Sequence, residues 1–252
     1  MFNFGIERDI VTSTPCLVVK TVAKENRRDR CLSTDEIKNF WLSLDQTEIP
    51  PESKLNLRMS ESTKLALKLQ LATAQRKGEI VSLEWSEIDF TTRWWCISAA
   101  KAKNGHPNRV YLSDLAMELL TTIKARSDNS KWVFPAPSGN THVTPHSLSR
   151  ALHRSTFEGL AHFTAHDLRR SAATHMTSLG IPRLVVSKIL NHVDNSTTSI
   201  YDRHSYDAEK RHALELWGKK LKQLVDSGEA TDNIVDFNIV YNRSNSIHMV
   251  TE

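Results

Sequence analysis

The chain has 252 residues, enough to bury a sizeable core in one or two domains, with 39% hydrophobic and 25% charged residues as in an ordinary globular protein. The net charge of +4 is unevenly spread: residues 1–225 hold 32 bases and 24 acids, and from Asp226 onward five acids stand against Arg243. A basic body favours an anionic partner such as nucleic acid. The three isolated cysteines (Cys16, Cys31 and Cys96) signal neither a disulfide framework nor a cysteine zinc site, and without a secretory or membrane-length apolar run the expected setting is cytoplasmic.

In chain order, "FNFGIERDIV" reads as the end of a helix, "TSTPCLVV" as extended and "KENRRDR" as a basic linker. "LSTDEIKNFWLSL" starts a helix with Ser33 as cap and Glu36 closing a capping box. "ESTKLALKLQLATAQR" places Leu65, Leu69 and Ala72 on one helical face. "KGEIVSLEWSEIDF" follows as a short helix and a strand-like exit, with Gly78 breaking one helix before Glu79 starts the next. In "RWWCISAAKAKNGHPNRVYLS" two extended segments flank Asn104-Gly105, a pair that accepts the positive φ angles of a tight hairpin. Ser113 caps "DLAMELLTTIKA", Thr144-Pro145 opens "HSLSRALHRST", and Thr164 caps a helix that Gly180 stops. "IPRLVVSKILNH", a short helix through "STTSIYDRH" and the longer "DAEKRHALELWGKKLKQL" complete the body. The expected fold class is mainly α with one small antiparallel β-sheet (α+β).

Four stretches hold candidate chemistry. In "TAHDLRRSAATHM", His166 and Arg169 are three residues apart on one face of a first helical turn, where free backbone N–H groups and the helix dipole favour an anion. The plainer reading is a charged helix start with Asp167 pairing Arg170. His162 and His166 have metal-ligand spacing, but no acidic or cysteine partner lies at a familiar distance, so no metal site is expected. Arg76 stands at a bend in "TAQRKGEIVSL" with Glu79 three residues on, and Lys103 sits at the tip of the expected hairpin in "KAKNGHPNRV". In "LNHVDNSTTSIYDRH", His192 follows a helix end and Tyr201 comes nine residues later. Each alone reads as ordinary surface or packing.

In order and spacing the four together resemble the tyrosine recombinase (phage integrase) family: an arginine in a TGxRxGE-like turn, a hairpin lysine, an HxLRR box, an LGH box and a following tyrosine. The matching residues are Arg76, Lys103, His166 with Arg169, His192 and Tyr201, over roughly Leu32 to Leu224. "YDRHSYDAEKRHALELW" is particularly similar to the ends of integrases from temperate phages and genomic islands. Ala74-Gln75 replaces a frequent Gly-Leu and Asn191 the common glycine of the LGH box; neither change removes a reacting group. Lys101 competes with Lys103, which is preferred because it directly precedes Asn104-Gly105.

The resemblance implies the catalytic-domain fold of a site-specific DNA recombinase. Strand cleavage would pass through a 3′-phosphotyrosyl link with no cofactor and no metal. It gives Tyr201 as nucleophile, and Arg76, Arg169 and His192 as donors to the phosphate. His166 would be the general base, Lys103 the general acid, Glu79 an orienting group for the Arg76 and His166 region, and Arg170 a further phosphate contact. It also implies double-stranded DNA as partner and a homotetramer on DNA, with this piece alone a monomer. Residues 1–30 resemble the end of a core-binding domain and its linker, 31–225 the catalytic domain, and 226–252 a tail that either docks on a neighbouring protomer or has no structure. With so little of a core-binding domain, DNA binding is expected to be weak and strongly salt-dependent. The alternatives are a type IB topoisomerase-like strand passage, a non-catalytic DNA-binding remnant of a mobile element, and a zinc-dependent nuclease.

Overall fold

The computed structural model describes residues 2–14, 30–127, 129–193 and 204–226. The expected linker from Pro15, the short helix with Tyr201 and the tail after Asp226 lie outside the described residues.

Local signals set most of the helix starts. After α1 (Phe2–Ile6), α2 (Thr34–Asp45) begins at Ser33, whose hydroxyl accepts from Glu36 N while the Glu36 carboxylate accepts from Ser33 N, completing the box. Ser113 caps α5 (Asp114–Ala125), and Thr144 with Pro145 in the first turn opens α6 (Pro145–Arg154). Thr164 precedes α7 (Ala165–Ser178), with Asp167 reaching back to accept from both its backbone N–H and its hydroxyl at 2.9 and 2.8 Å. Gly180, at φ +85°, ends that helix as expected. α8 (Arg183–Ile189) and the long α9 (Asp207–Asp226) follow.

The hydrophobic core is organised around α3 (Glu61–Thr73), which packs against α5, α6, α7 and α9. Every residue from Leu65 to Thr73 is buried, so the single apolar face expected of this helix is a correction: it is enclosed on all sides. Most of its buried polar groups are paired, although the Gln70 side-chain oxygen is buried without a hydrogen-bond partner. Gln70 donates to the carbonyls of Gln75 and Ala165, Thr73 to Leu69, and the Trp217 indole of α9 to the Leu71 carbonyl at 2.9 Å. The His175 ring stacks on Trp217 from α7, with centroids 5.9 Å apart.

A second correction concerns the bend after α3. Its break is at Ala74, in the left-handed region at φ +57°, whereas Gly78 lies inside α4 (Lys77–Val81). A third concerns the sheet. It has three antiparallel strands, β1 (Ile88–Asp89), β2 (Trp94–Ile97) and β3 (Asn108–Tyr111), with Trp95 opposite Val110. The connection over residues 98–107 is therefore a long loop rather than a two-residue turn at Asn104-Gly105, although Gly105 does adopt φ +72°.

One position tests the packing of α9 on the α5 start. By helix propensity, Gly218→Ala in α9 would stabilise by about 1 kcal/mol. A Cβ there would lie 2.5 Å from Ser113 Oγ and 2.7 Å from Ser113 Cβ, the buried cap of α5. Overpacking should win, so Gly218→Ala lowers stability by roughly 1–3 kcal/mol in urea unfolding.

Candidate active site

Residues of α3, the start of α4, the β2–β3 loop, α6 and α7 meet at one cavity of about 400 Å³, whose lining includes Arg76, Glu79, Lys103, His166 and Arg169. Arg76 is the cap residue of α4, and Glu79 one turn later holds it at two points. One Glu79 oxygen accepts from Arg76 N and the other from Arg76 Nη1, both at 2.9 Å, and the carboxylate is only 3% exposed. The orienting role expected of Glu79 is thus directed at Arg76. Arg76 Nη2 also donates to the Asn191 carbonyl at 3.4 Å.

Arg169 enters from α7 and is 3% exposed. It donates from Nη1 to the Ala74 carbonyl at 2.8 Å and from Nη2 to the Leu190 carbonyl. These carbonyls belong to the two chain bends that flank the cavity, after α3 and after α8. Burial, then the neighbouring Arg76 charge, lowers the Arg169 pKa to about 10, partly opposed by Glu79. It remains a cation at neutral pH, with no carboxylate in hydrogen-bond contact. Arg76, Arg169 and Lys103 thus face a single lining carboxylate, Glu79, a surplus of positive charge suited to an anion.

Both lysines of the β2–β3 loop line the cavity, and they differ in their partners. Lys101 Nζ donates to the Ser82 carbonyl and Glu84 at 2.9 Å and pairs with Glu87 at 2.7 Å, so its charge is already compensated. Lys103 is exposed at the cavity. Arg170, in contrast, does not line this cavity: it pairs with Asp167 at 2.6 Å and donates to the Arg30 carbonyl. That is the plainer reading of the helix start. His162 packs its ring against His153, and among the described residues no group of three or more His, Cys, Asp or Glu could hold a metal ion.

His166 and His192 are exposed at the site, yet both pKa values fall below the ordinary 6.5. Partial burial is the main cause for each. The positive charges of Arg170, Arg169 and Arg76 add to it for His166, and those of Arg169 and Arg76 for His192. Both imidazoles are therefore neutral at pH 7. The unfolded chain takes up these protons first, so their contribution to stability is complete above pH 6.5 and falls as pH drops toward the folded values. In the free protein both should titrate below 6.5 by NMR. An added phosphodiester favours each imidazolium and should move both titrations upward; unchanged titrations would mean the anion binds elsewhere.

Several supporting residues were not read as such from the sequence. Gln75, fully buried, donates to the carbonyls of Thr73 and Ile189 and accepts from Asn108; Lys210 of α9 donates to Asn108 Oδ1 and to the Arg109 carbonyl. This chain joins the Arg76 bend, the start of β3, the end of α8 and α9. Burial lowers the Lys210 pKa. Asn191, at φ +48°, occupies the left-handed conformation at the end of α8, where asparagine is one of the few side chains at ease.

The basic cavity thus brings together two anchored arginines, an exposed lysine and the His166 imidazole, with His192 within reach of the same arginine charges. The Phage integrase family model matches residues 50–208, and the chain belongs to that family. It is 32% identical over 172 residues to prophage integrase IntA of Escherichia coli, covering 68% of this chain and 41% of the relative. It is 26% identical to tyrosine recombinase XerD of Oceanobacillus iheyensis, covering 79% and 66%. The chain therefore spans about two-fifths to two-thirds of the length of these curated relatives. The fold is that of solved integrases. The integrase of mycobacterium phage Brujita aligns at TM-score 0.57 and 17% identity over 92% of this chain and 70% of its own. A lambda integrase tetramer bound to a Holliday junction aligns at 0.54 and 19% over 78% and 56%.

Proposed function

We propose that this chain is the catalytic part of a site-specific DNA recombinase that breaks and rejoins one strand at a time through a covalent tyrosine intermediate. The observation that carries the reading is the meeting of Arg76, Arg169, Lys103 and His166 at one cavity, with His192 within reach of the same arginine charges. Residues 31–225 would form the catalytic domain, 1–30 the end of a core-binding domain and its linker, and 226–252 a tail that either docks on a neighbouring protomer or has no structure.

A phosphodiester under attack becomes pentacoordinate and gains negative charge on its non-bridging oxygens. Arg76 and Arg169 supply permanently charged donors there, held in place before DNA arrives by Glu79 and by backbone carbonyls. His192 adds a third donor. Tyr201 loses its proton to neutral His166 as its oxygen bonds to phosphorus; the P–O5′ bond breaks, and the Lys103 ammonium protonates the departing 5′ oxygen. The products are a 3′-phosphotyrosine and a 5′-hydroxyl. Attack by another strand's 5′-hydroxyl returns both protons and conserves the bond energy, so no nucleotide cofactor is needed.

The partner is double-stranded DNA, engaged as a homotetramer in which four such sites act in pairs. Radiolabelled duplexes carrying the element's end sequence should give strand-exchanged products that persist in EDTA. Relaxed plasmid without exchanged strands would favour topoisomerase-like passage instead, and loss of cleavage in EDTA would contradict metal-independent chemistry.

A further inference from the structure

The β2–β3 loop carries Lys103, and the turn after α8 carries His192. Two asparagines next to those residues hold the two segments together. Asn191 Nδ2 donates to the His106 carbonyl at 2.8 Å and to Asn104 Oδ1 at 3.3 Å, while Asn104 Nδ2 donates to the Asn191 carbonyl at 2.7 Å. The same Asn191 carbonyl accepts from Arg76 Nη2. Within its own loop, Asn104 Oδ1 accepts from His106 N at 3.2 Å. The loop is thus closed on itself by Asn104 and fastened to the end of α8 by Asn191. Elsewhere the backbone bonds of the loop from Ser98 to Gly105 are local turns, and Lys101 ties its first half to Ser82, Glu84 and Glu87.

We infer that Asn191 is a positioning residue for the general acid: its side-chain amide fastens the β2–β3 loop so that Lys103 is presented to the cavity beside Arg76. The inference rests on the function proposed above. Glycine at this position would keep the left-handed backbone at no steric cost and would keep the carbonyl that Arg76 and Asn104 use. It would lack only the amide that bonds His106 and Asn104. Asn191→Gly therefore removes the fastening while leaving the turn able to form. The clasp also couples two functions. Arg76 and Lys103 share one anchor, so the donor to the phosphate and the donor to the leaving oxygen are held in a fixed relation before DNA binds.

A leaving group that needs no proton separates positioning of Lys103 from every other effect. In a substrate with sulfur in place of the bridging 5′ oxygen, cleavage breaks a P–S bond and the thiolate departs with the electron pair. Its conjugate acid has a pKa of about 8.5, so protonation is not required. With the full chain, Asn191→Gly should cleave the ordinary substrate roughly 10- to 100-fold more slowly and the sulfur substrate at the parent rate. Asn104→Ala, which removes the other half of the clasp, should show the same pattern. Adding Asn191→Gly to Lys103→Ala should slow ordinary cleavage no further than Lys103→Ala alone. Equal slowing of Asn191→Gly on both substrates, or none on the ordinary one, would overturn the inference. Lys103→Ala left slow on the sulfur substrate would instead remove the general-acid assignment itself, and the inference with it. Failure of all variants and of the parent on both substrates would count against the recombinase reading.

Discussion

Arg169→Lys should lower the rate of single-turnover strand cleavage at saturating DNA by ~10²–10³-fold. The substitution keeps a positive charge, so a purely Coulombic role would leave most of the rate. The geometry demands more than charge. Two of the guanidinium's five N–H donors go to the Ala74 and Leu190 carbonyls, on two separate chain bends, and the planar fork fixes where the remaining donors point. A lysine offers a single ammonium on a flexible stem and cannot bridge both carbonyls while also meeting a phosphate oxygen. At 3% exposure it would also leave buried carbonyls unpaired, so some loss of stability accompanies the loss of rate. Arg170→Ala supplies the contrast. That side chain is engaged by Asp167 and the Arg30 carbonyl away from the cavity, and its loss should slow cleavage far less. If the two variants were equally slow, the anion site would have to be drawn elsewhere on α7.

What could be read from the sequence was whatever is decided locally or along one helix face. The Ser33–Glu36 box, the Ser113 cap, Pro145 and Gly180 act within a turn of themselves, and each starts or stops its helix as expected. His166 and Arg169 share a face because three residues make most of a turn, and Asp167–Arg170 pairing follows from the same spacing. The misreadings have a common origin in contacts between distant segments. α3 is enclosed because helices from along the whole chain pack on it, which no count of apolar positions within the helix can show. Asn104-Gly105 has the composition of a two-residue turn, yet Asn104 spends its amide on Asn191, 87 residues away, and the loop is correspondingly long. Gln75 and Asn191, noticed only as departures from a motif, prove to be joining side chains: Gln75 links the Arg76 bend to the end of α8, and Asn191 links the turn carrying His192 to the loop carrying Lys103.

Tyr201→Phe is expected to abolish covalent attachment outright, a larger effect than any loss of an electrostatic donor. A phenol has an ordinary pKa of about 10, so at neutral pH it needs both a base and a stabilised phosphorane to react. Phenylalanine removes the only oxygen that could form the bond while keeping the ring's bulk. Loss of one arginine, by contrast, leaves the other donor in place. The most direct test of this chemistry is trapping on a nicked duplex whose short downstream fragment, released with a free 5′-hydroxyl, diffuses away after cleavage, with EDTA present, followed by peptide mass spectrometry. A DNA-linked peptide containing Tyr201, and no adduct from Tyr201→Phe, is the expected result. An adduct on a different residue, or one that survives Tyr201→Phe, would contradict it.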